Sequence, residues 1–315
     1  MRRLADANSA ARQPAVLVIL GPTATSKTAV SVSVAKELDG EIISADSRAF
    51  FTGLDIVTAR PNVQEQAGVS HHGLGIVPWD KPYDAMAFRR DVERWVTAIV
   101  EREHIPMIVG GGTLYIGAVI RGLFEGPSKD DALRTQMAQE DLDVLYRRLA
   151  TVDPDAARSI HPNDRLRIER ALEVFASTGR RISTLQPSAE PLAYRFLKIG
   201  LRRDRAEHRT AIAARVQQMI DAGLAEEVRT VLRAGLRPEH QAYRTIGIPE
   251  MAAVFDGRIS QDEAAARMVT QTWALAKRQA AWFRRDRAVH WIDVSGRTPD
   301  GVAEEVVALW KKGDR

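Results

Sequence analysis

The sequence predicts an α/β fold: a P-loop-type doubly wound parallel sheet carrying a helical insertion domain. Three observations predict it. The apolar run Ala15–Leu20 leads straight into Gly21-Pro22-Thr23-Ala24-Thr25-Ser26-Lys27-Thr28, the order of a buried strand, a glycine turn and a Lys-Thr pair opening a helix. Short apolar runs then alternate with helical patterns over residues 15–124, as parallel strands joined by crossovers do. The P-loop, Asp46-Ser47 and Gly110-Gly111-Gly112 each follow an apolar run. All three therefore fall at the carboxyl ends of strands, where such sheets bind their ligands.

The elements follow in order. Residues 1–14 are polar, lack the apolar stretch of a signal peptide and read as a loose tail. Val16–Leu20 is the first strand, Lys27–Leu38 the first helix and Glu41–Ala45 the second strand. Apolar residues at Ala87, Val92, Trp95 and Ile99 give Tyr83–Glu103 a helical period, and Pro106–Val109 is a third strand. From about Gly126 the pattern changes. Residues 130–180 are helical and charged, broken by Asp153-Pro154, His161-Pro162-Asn163-Asp164 and Thr178-Gly179. The insert is read over 126–194, between core segments 15–125 and 195–315. Phe196–Leu201 returns to the sheet, helices run to about Arg285, and His290–Val294 closes it.

Composition narrows the function classes. The 315 residues include no cysteine, which excludes disulfides, thiolate chemistry and zinc–cysteine sites and fits a cytoplasmic setting. No apolar stretch reaches the ~20 residues of a membrane span. Net charge is only +4, yet Arg158–Arg215 holds thirteen Lys/Arg against six Asp/Glu, and Lys277–Arg287 five against one. Of the 45 basic residues 37 are Arg, the cation suited to bidentate phosphate contact and to stacking on bases.

By class a P-loop marks a nucleotide-binding, ATP-binding type of sequence. Its backbone N–H groups and helix N-terminus face an anion, Lys27 neutralises terminal phosphate oxygens and the Thr28 hydroxyl can hold magnesium. Ser26 stands where the pattern usually has Gly, an exchange compatible with a negative φ at that residue. A plain ATP-dependent kinase needs a second acid on a neighbouring strand, and strand 106–109 ends in glycines instead. The one acid so placed is Asp46, suited to a metal or a proton, or, with Ser47, to capping a helix.

At this point the chain resembles a family, the tRNA dimethylallyltransferases, also called tRNA isopentenyltransferases. The resemblance covers roughly residues 15–294. It is carried by VILGPTATSKT at 18–28, GEIISADSRAFFTGLDIVTARP at 40–61, SHHGLGIV at 70–77, PYDAMAFRRD at 82–91 and PMIVGGGTLYIGAVIRGL at 106–123. It continues through VDPDAARSIHPNDRLRIERALEVFASTGR at 152–180, GLAEEV at 223–228, AKRQAAWFRR at 276–285 and WID at 291–293. The resemblance implies a Mg2+-assisted transfer of a dimethylallyl group from dimethylallyl diphosphate to the exocyclic amine of the adenine 3′ of the anticodon. It implies Asp46, Lys27 and Thr113 as catalytic residues. It implies a diphosphate site of Gly21, Thr23, Ala24, Thr25, Ser26, Lys27, Thr28 and Arg278, with Thr28 as the metal ligand. The tRNA anticodon stem-loop would be held by Asp46, Ser47, Arg48, Ala49, Arg167, Arg170, Arg244 and Gln279. The implied partners are tRNA and dimethylallyl diphosphate, with no membrane, for a monomer. His71-His72 are read as structural.

The chain departs from the family's pattern at the site. Ser26 replaces the P-loop Gly, Gly112 stands where the family has Thr, with Thr113 one place later, and Trp273 stands where an Arg faces diphosphate. Gly247-Ile248-Pro249-Glu250 replaces Gly-Tyr-Arg-Gln, the acid after the His pair is Gly75, and the insert is slightly short around 138–142. Three readings stay open on the residues: a tRNA prenyltransferase, a divergent paralogue prenylating a free adenine nucleotide or other small acceptor, and a tRNA-binding protein with reduced catalysis. On the first, restoring Thr at 112 and Arg at 273 is expected to speed transfer.

Overall fold

The computed structural model describes residues 13–124, 126–127, 130–186 and 189–313. Residues 1–12 of the expected N-terminal tail lie outside the described residues. The chain forms two compact units, one of residues up to Gly117 together with Ala193 onward, the other of Ala118–Leu192.

In the first unit, β1 (Ala15–Leu20) is followed by α1 (Lys27–Leu38) and β2 (Gly40–Ser44). Then come α2 (Val63–Gln66), β3 (His71–His72), α3 (Ala85–Glu101), β4 (Ile105–Gly110) and α4 (Thr113–Ile120). The sheet has six strands in the order β3-β2-β4-β1-β5-β6, where β5 is Arg195–Arg202 and β6 is Val289–Asp293. Every pairing is parallel. β1 lies between β4 and β5, so Val16–Leu20 are wholly enclosed and read as an unbroken apolar run. α1 and the C-terminal helix (Pro299–Gly313) cover one side of the sheet through Val30, Val34, Val302, Val306 and Trp310. The expected strands are all present, and they pair in parallel as expected. The two-residue strand His71–His72 is an addition.

A second apolar cluster forms where the chain between the last two strands folds into helices. Val216, Leu224, Val228, Met251 and Met268 pack there against Phe51, Leu54 and Val57 from the loop after β2. This cluster fixes the position of that loop over the carboxyl ends of the strands.

The second unit is helical. It contains α5 (Asp131–Ala138), α6 (Leu142–Val152), α7 (Pro154–Ser159), α8 (Arg165–Thr178) and α9 (Ile182–Leu185) around Leu145, Leu149, Ile168 and Val174. Its two ends meet where the Leu192 N–H donates to the Val119 carbonyl at 3.0 Å. Glu173 is fully buried between Arg134 (2.7 Å) and Arg170 (2.6 Å). Burial works against its charge, but hydrogen bonds from both guanidiniums and from the Asp130 N–H pull its carboxyl down to about 2.

Candidate active site at the carboxyl ends of the strands

The P-loop residues 21–28 leave the end of β1 and turn into α1. Gly21 is required by close approach: a Cβ there would lie 2.5 Å from the Leu201 carbonyl oxygen on β5. The loop is tied internally by two bonds to the Pro22 carbonyl, from Thr25 Oγ1 at 2.9 Å and from Lys27 Nζ at 2.5 Å. Ser26 corrects the expectation of a negative φ. It sits at φ 56°, ψ 21° and Ala24 at φ 60°. The tight turn onto the helix demands left-handed backbone there, a conformation that costs a non-glycine residue about 1–2 kcal/mol. Neither Asp46 nor Ser47 caps a helix. Asp46 Oδ1 instead accepts the Arg48 N–H at 2.9 Å and so fixes the turn that follows β2.

The three glycines that end and follow β4 are close-packed. A Cβ on Gly110 or Gly112 would lie 2.5 or 2.4 Å from the backbone of Ala45, and one on Gly111 2.6 Å from Gln279 Nε2. Gln279 comes from the long helix Gln261–Phe283. Its amide bridges two loops: the Thr23 N–H donates to Oε1 at 2.9 Å, and Nε2 donates to the Gly111 carbonyl at 2.8 Å.

Two cavities open on this arrangement. One, of about 720 Å³, lies on the P-loop and is lined by Thr23–Thr28, Asp46 and Arg60. The other, of about 680 Å³, is lined by Ser47, Arg48, Gly112, Thr113, Arg244 and Arg278. Thr23, Asp46, Thr58, Arg215 and Gln279 line both. They form a shared wall on which groups from the two sides can meet.

Most sequence-predicted residues gather here, on the sides the geometry dictates. Lys27, Thr28 and Asp46 share the first cavity, and Ala49 lines it too rather than the second. Arg278 lines the second cavity and not the first, because the long helix turns Gln271, Ala274, Leu275 and Arg278 toward that side. Thr113 lines the second cavity at the start of α4. Arg48 is held by its own donation to the Gln241 carbonyl at 2.8 Å. Arg167 and Arg170 belong to the second unit. The Arg167 side chain is 70% exposed beside Asp164, whereas Arg170 is bound to buried Glu173. Trp273 lines neither cavity. Its ring packs edge-to-face on His208 at 5.5 Å and carries the Arg209 guanidinium at 5.1 Å.

Arg215 is the functional residue that the sequence reading missed. It lines both cavities and donates to the Thr58 carbonyl at 3.3 Å. A signal was present: on the helix Arg205–Asp221 it falls among Ile212, Val216 and Met219, on the buried face. Burial lowers its pKa, and Asp46 raises it. Lys27 is affected more. Burial first, then the Arg215 charge, bring its ammonium down to about 7, against the pull of Asp46. The P-loop cavity thus brings Lys27, Arg60 and Arg215 together with Asp46, and Asp55 and Glu65 line it as well.

A sequence profile of the family described as IPP transferase matches residues 49–286. The chain belongs to the IPP transferase family. It is 42% identical over 285 residues to tRNA dimethylallyltransferase 2 of Geotalea uraniireducens (strain Rf4), covering 88% of this chain and 92% of that protein. It is 41% identical to the tRNA dimethylallyltransferase of Thermodesulfovibrio yellowstonii, covering 90% and 92%. The full-length tRNA isopentenylpyrophosphate transferase of Bacillus halodurans superposes with a TM-score of 0.72 at 32% identity, over 95% of this chain and 96% of that one. A eukaryotic dimethylallyltransferase acting on tRNA shares the fold at 24% identity, with a TM-score of 0.77 over 90% of this chain and 74% of that one.

Proposed function

We propose that this IPP transferase family member moves a dimethylallyl group from dimethylallyl diphosphate to the exocyclic amine of the adenine 3′ of the anticodon in tRNA. The observation that carries the reading is the wall shared by the two cavities, with Asp46 on it. The donor's diphosphate belongs in the P-loop cavity and the acceptor base in the one rimmed by Arg48, Arg244 and Arg278. The relatives named as tRNA dimethylallyltransferases support the same substrates.

The chemistry follows from the charges. The amine nitrogen attacks the allylic carbon, the carbon–oxygen bond to diphosphate breaks and pyrophosphate leaves. Negative charge builds on the leaving group, where Lys27, Arg215 and the loop's N–H groups are already fixed in place. The amine loses a proton as it becomes secondary, and the Asp46 carboxylate accepts it. The described residues contain no cluster of three or more His, Asp or Glu able to hold a metal by themselves. Thr28, on the P-loop cavity, would hold a magnesium ion there beside the substrate's diphosphate. Such an ion supplies further charge for the departing diphosphate. To reach Asp46 the adenine leaves its stack, as in base-flipping enzymes. The helical unit 118–192 contributes phosphate contacts to the stem-loop through Arg167.

The test is direct. The protein is incubated with dimethylallyl diphosphate, Mg2+ and unmodified tRNA, and the digested nucleosides are examined by mass spectrometry. Prenyladenosine in tRNA is the expected product. Product with AMP but not with tRNA would assign the small-acceptor reaction instead.

A further inference from the structure

The P-loop's β5 flank carries a cation to which the family resemblance gives no role. Arg203 follows β5 directly, two residues after the Leu201 carbonyl that presses on Gly21. Its Nη2 donates to Ser26 Oγ, inside the loop, at 2.8 Å. Its Nε is enclosed and has no acceptor, the one buried side-chain nitrogen or oxygen in that condition among the described residues. A guanidinium has five donors in a rigid fork, so a neutral hydroxyl alone leaves it poorly satisfied.

The neighbours sharpen the point. Arg203 and Lys27 both bear on His208, whose pKa burial lowers first, with a bond to Thr23 opposing and the two cations adding to it. His208 Nε2 lies 2.8 Å from the Thr23 carbonyl and is backed by Trp273. Trp273 occupies the position at which the resemblance expects an arginine facing diphosphate. This chain thus has an aromatic buttress on that side and an arginine on the β5 side.

We propose that Arg203 is a diphosphate-binding residue of this chain, supplying from the β5 flank the guanidinium that position 273 lacks. Its ligand is the diphosphate of the allylic substrate and the pyrophosphate released from it. An anion seated on the loop's N–H groups lies beside Ser26, and the fork that now holds Ser26 Oγ turns onto its oxygens. Arg203 does not itself line the cavity but holds Ser26, which does, and the exchange replaces a neutral acceptor with a charged one. The proposal rests on the P-loop cavity being the diphosphate site.

The test measures inorganic pyrophosphate binding by calorimetry, without turnover, for the native chain and for Arg203→Lys and Arg203→Gln. The P-loop reading requires native binding; its absence would overturn that reading and the proposal together. Arg203→Gln is expected to weaken pyrophosphate about 10- to 100-fold, the worth of a charge-assisted bond. Arg203→Lys should keep much of the affinity. Native affinity in Arg203→Gln would overturn the proposal. Equal losses in Arg203→Gln and Arg203→Lys would overturn it too, since they would show a packing role indifferent to charge. Melting curves without ligand confirm that each variant is folded.

Discussion

Replacing Gly112 by Thr, the residue that the family resemblance places there, should damage the protein. A Cβ at 112 would lie 2.4 Å from the Ala45 carbonyl oxygen, about 1 Å inside ordinary contact at 3.4 Å. The obstacle is main chain at the end of β2, so no side chain can swing away. The same carbonyl accepts the Gly112 N–H at 2.9 Å, and that bond would be strained as the loop moves off. Overpacking of this kind costs about 1–3 kcal/mol, which lowers the melting temperature by about 2–5 °C in a chain of this size. Ala45 directly precedes Asp46, so the carboxylate moves with it. A displacement near 1 Å at a reacting group costs about 10²-fold in rate. Adding Trp273→Arg would bring a further cation beside His208 and Arg209, where the indole now packs. The steric argument thus predicts the opposite of the expectation from sequence, that the double change speeds transfer. Thermal melts and single-turnover prenyl transfer check it. A Gly112→Thr protein that melts within a degree of the native one and transfers faster would refute the steric argument.

The other predictions concern the proton, the phosphate lysine and the RNA. Asp46→Ala should lower turnover about 10²–10⁴-fold, the usual worth of a general base, with pyrophosphate affinity retained; a near-normal rate would remove Asp46 from the mechanism. Lys27 stands at about 7 in the free protein, and a bound diphosphate raises it. Binding above that pH therefore takes up a proton, and pyrophosphate affinity should fall as pH rises past 7, by up to about tenfold per unit. Calorimetry in buffers of different ionisation enthalpy reads that proton uptake. Arg167→Glu should reduce the salt dependence of tRNA binding by about one unit of log–log slope. Arg170→Glu should instead melt the helical unit, because it sets a second carboxylate against buried Glu173.

The sheet was legible because enclosed parallel strands are written as continuous apolar runs, and Val16–Leu20 and Pro106–Val109 are such runs. The half-buried pair His71–His72 carries no period, and only its pairing with Ile42 and Ile43 makes it a strand. The P-loop and Asp46 were found because motif and strand end coincide. The left-handed turn at Ser26 was not, because φ depends on how the loop meets α1 rather than on the residue. Arg215 and Arg203 were hidden among 37 arginines, where residue type carries little information. Arg215 stands out by its burial and Arg203 by its unpartnered Nε, which only the folded chain shows. Gln279 was expected on the RNA side because the resemblance put it there. Its amide spans the P-loop and the glycine loop, and the residue lines both cavities.

The central claim is that the amine of one adenine and the diphosphate of the donor meet at Asp46. The measurement that tests it most directly counts both products in one reaction, on an anticodon stem-loop and on the same stem-loop carrying purine in place of the adenine 3′ of the anticodon. Pyrophosphate and prenyladenosine should form in equal amounts on the first RNA, and neither on the second, which lacks only the amine. Pyrophosphate released without prenylated RNA, or a prenyl group attached to the purine-containing loop, would contradict the account.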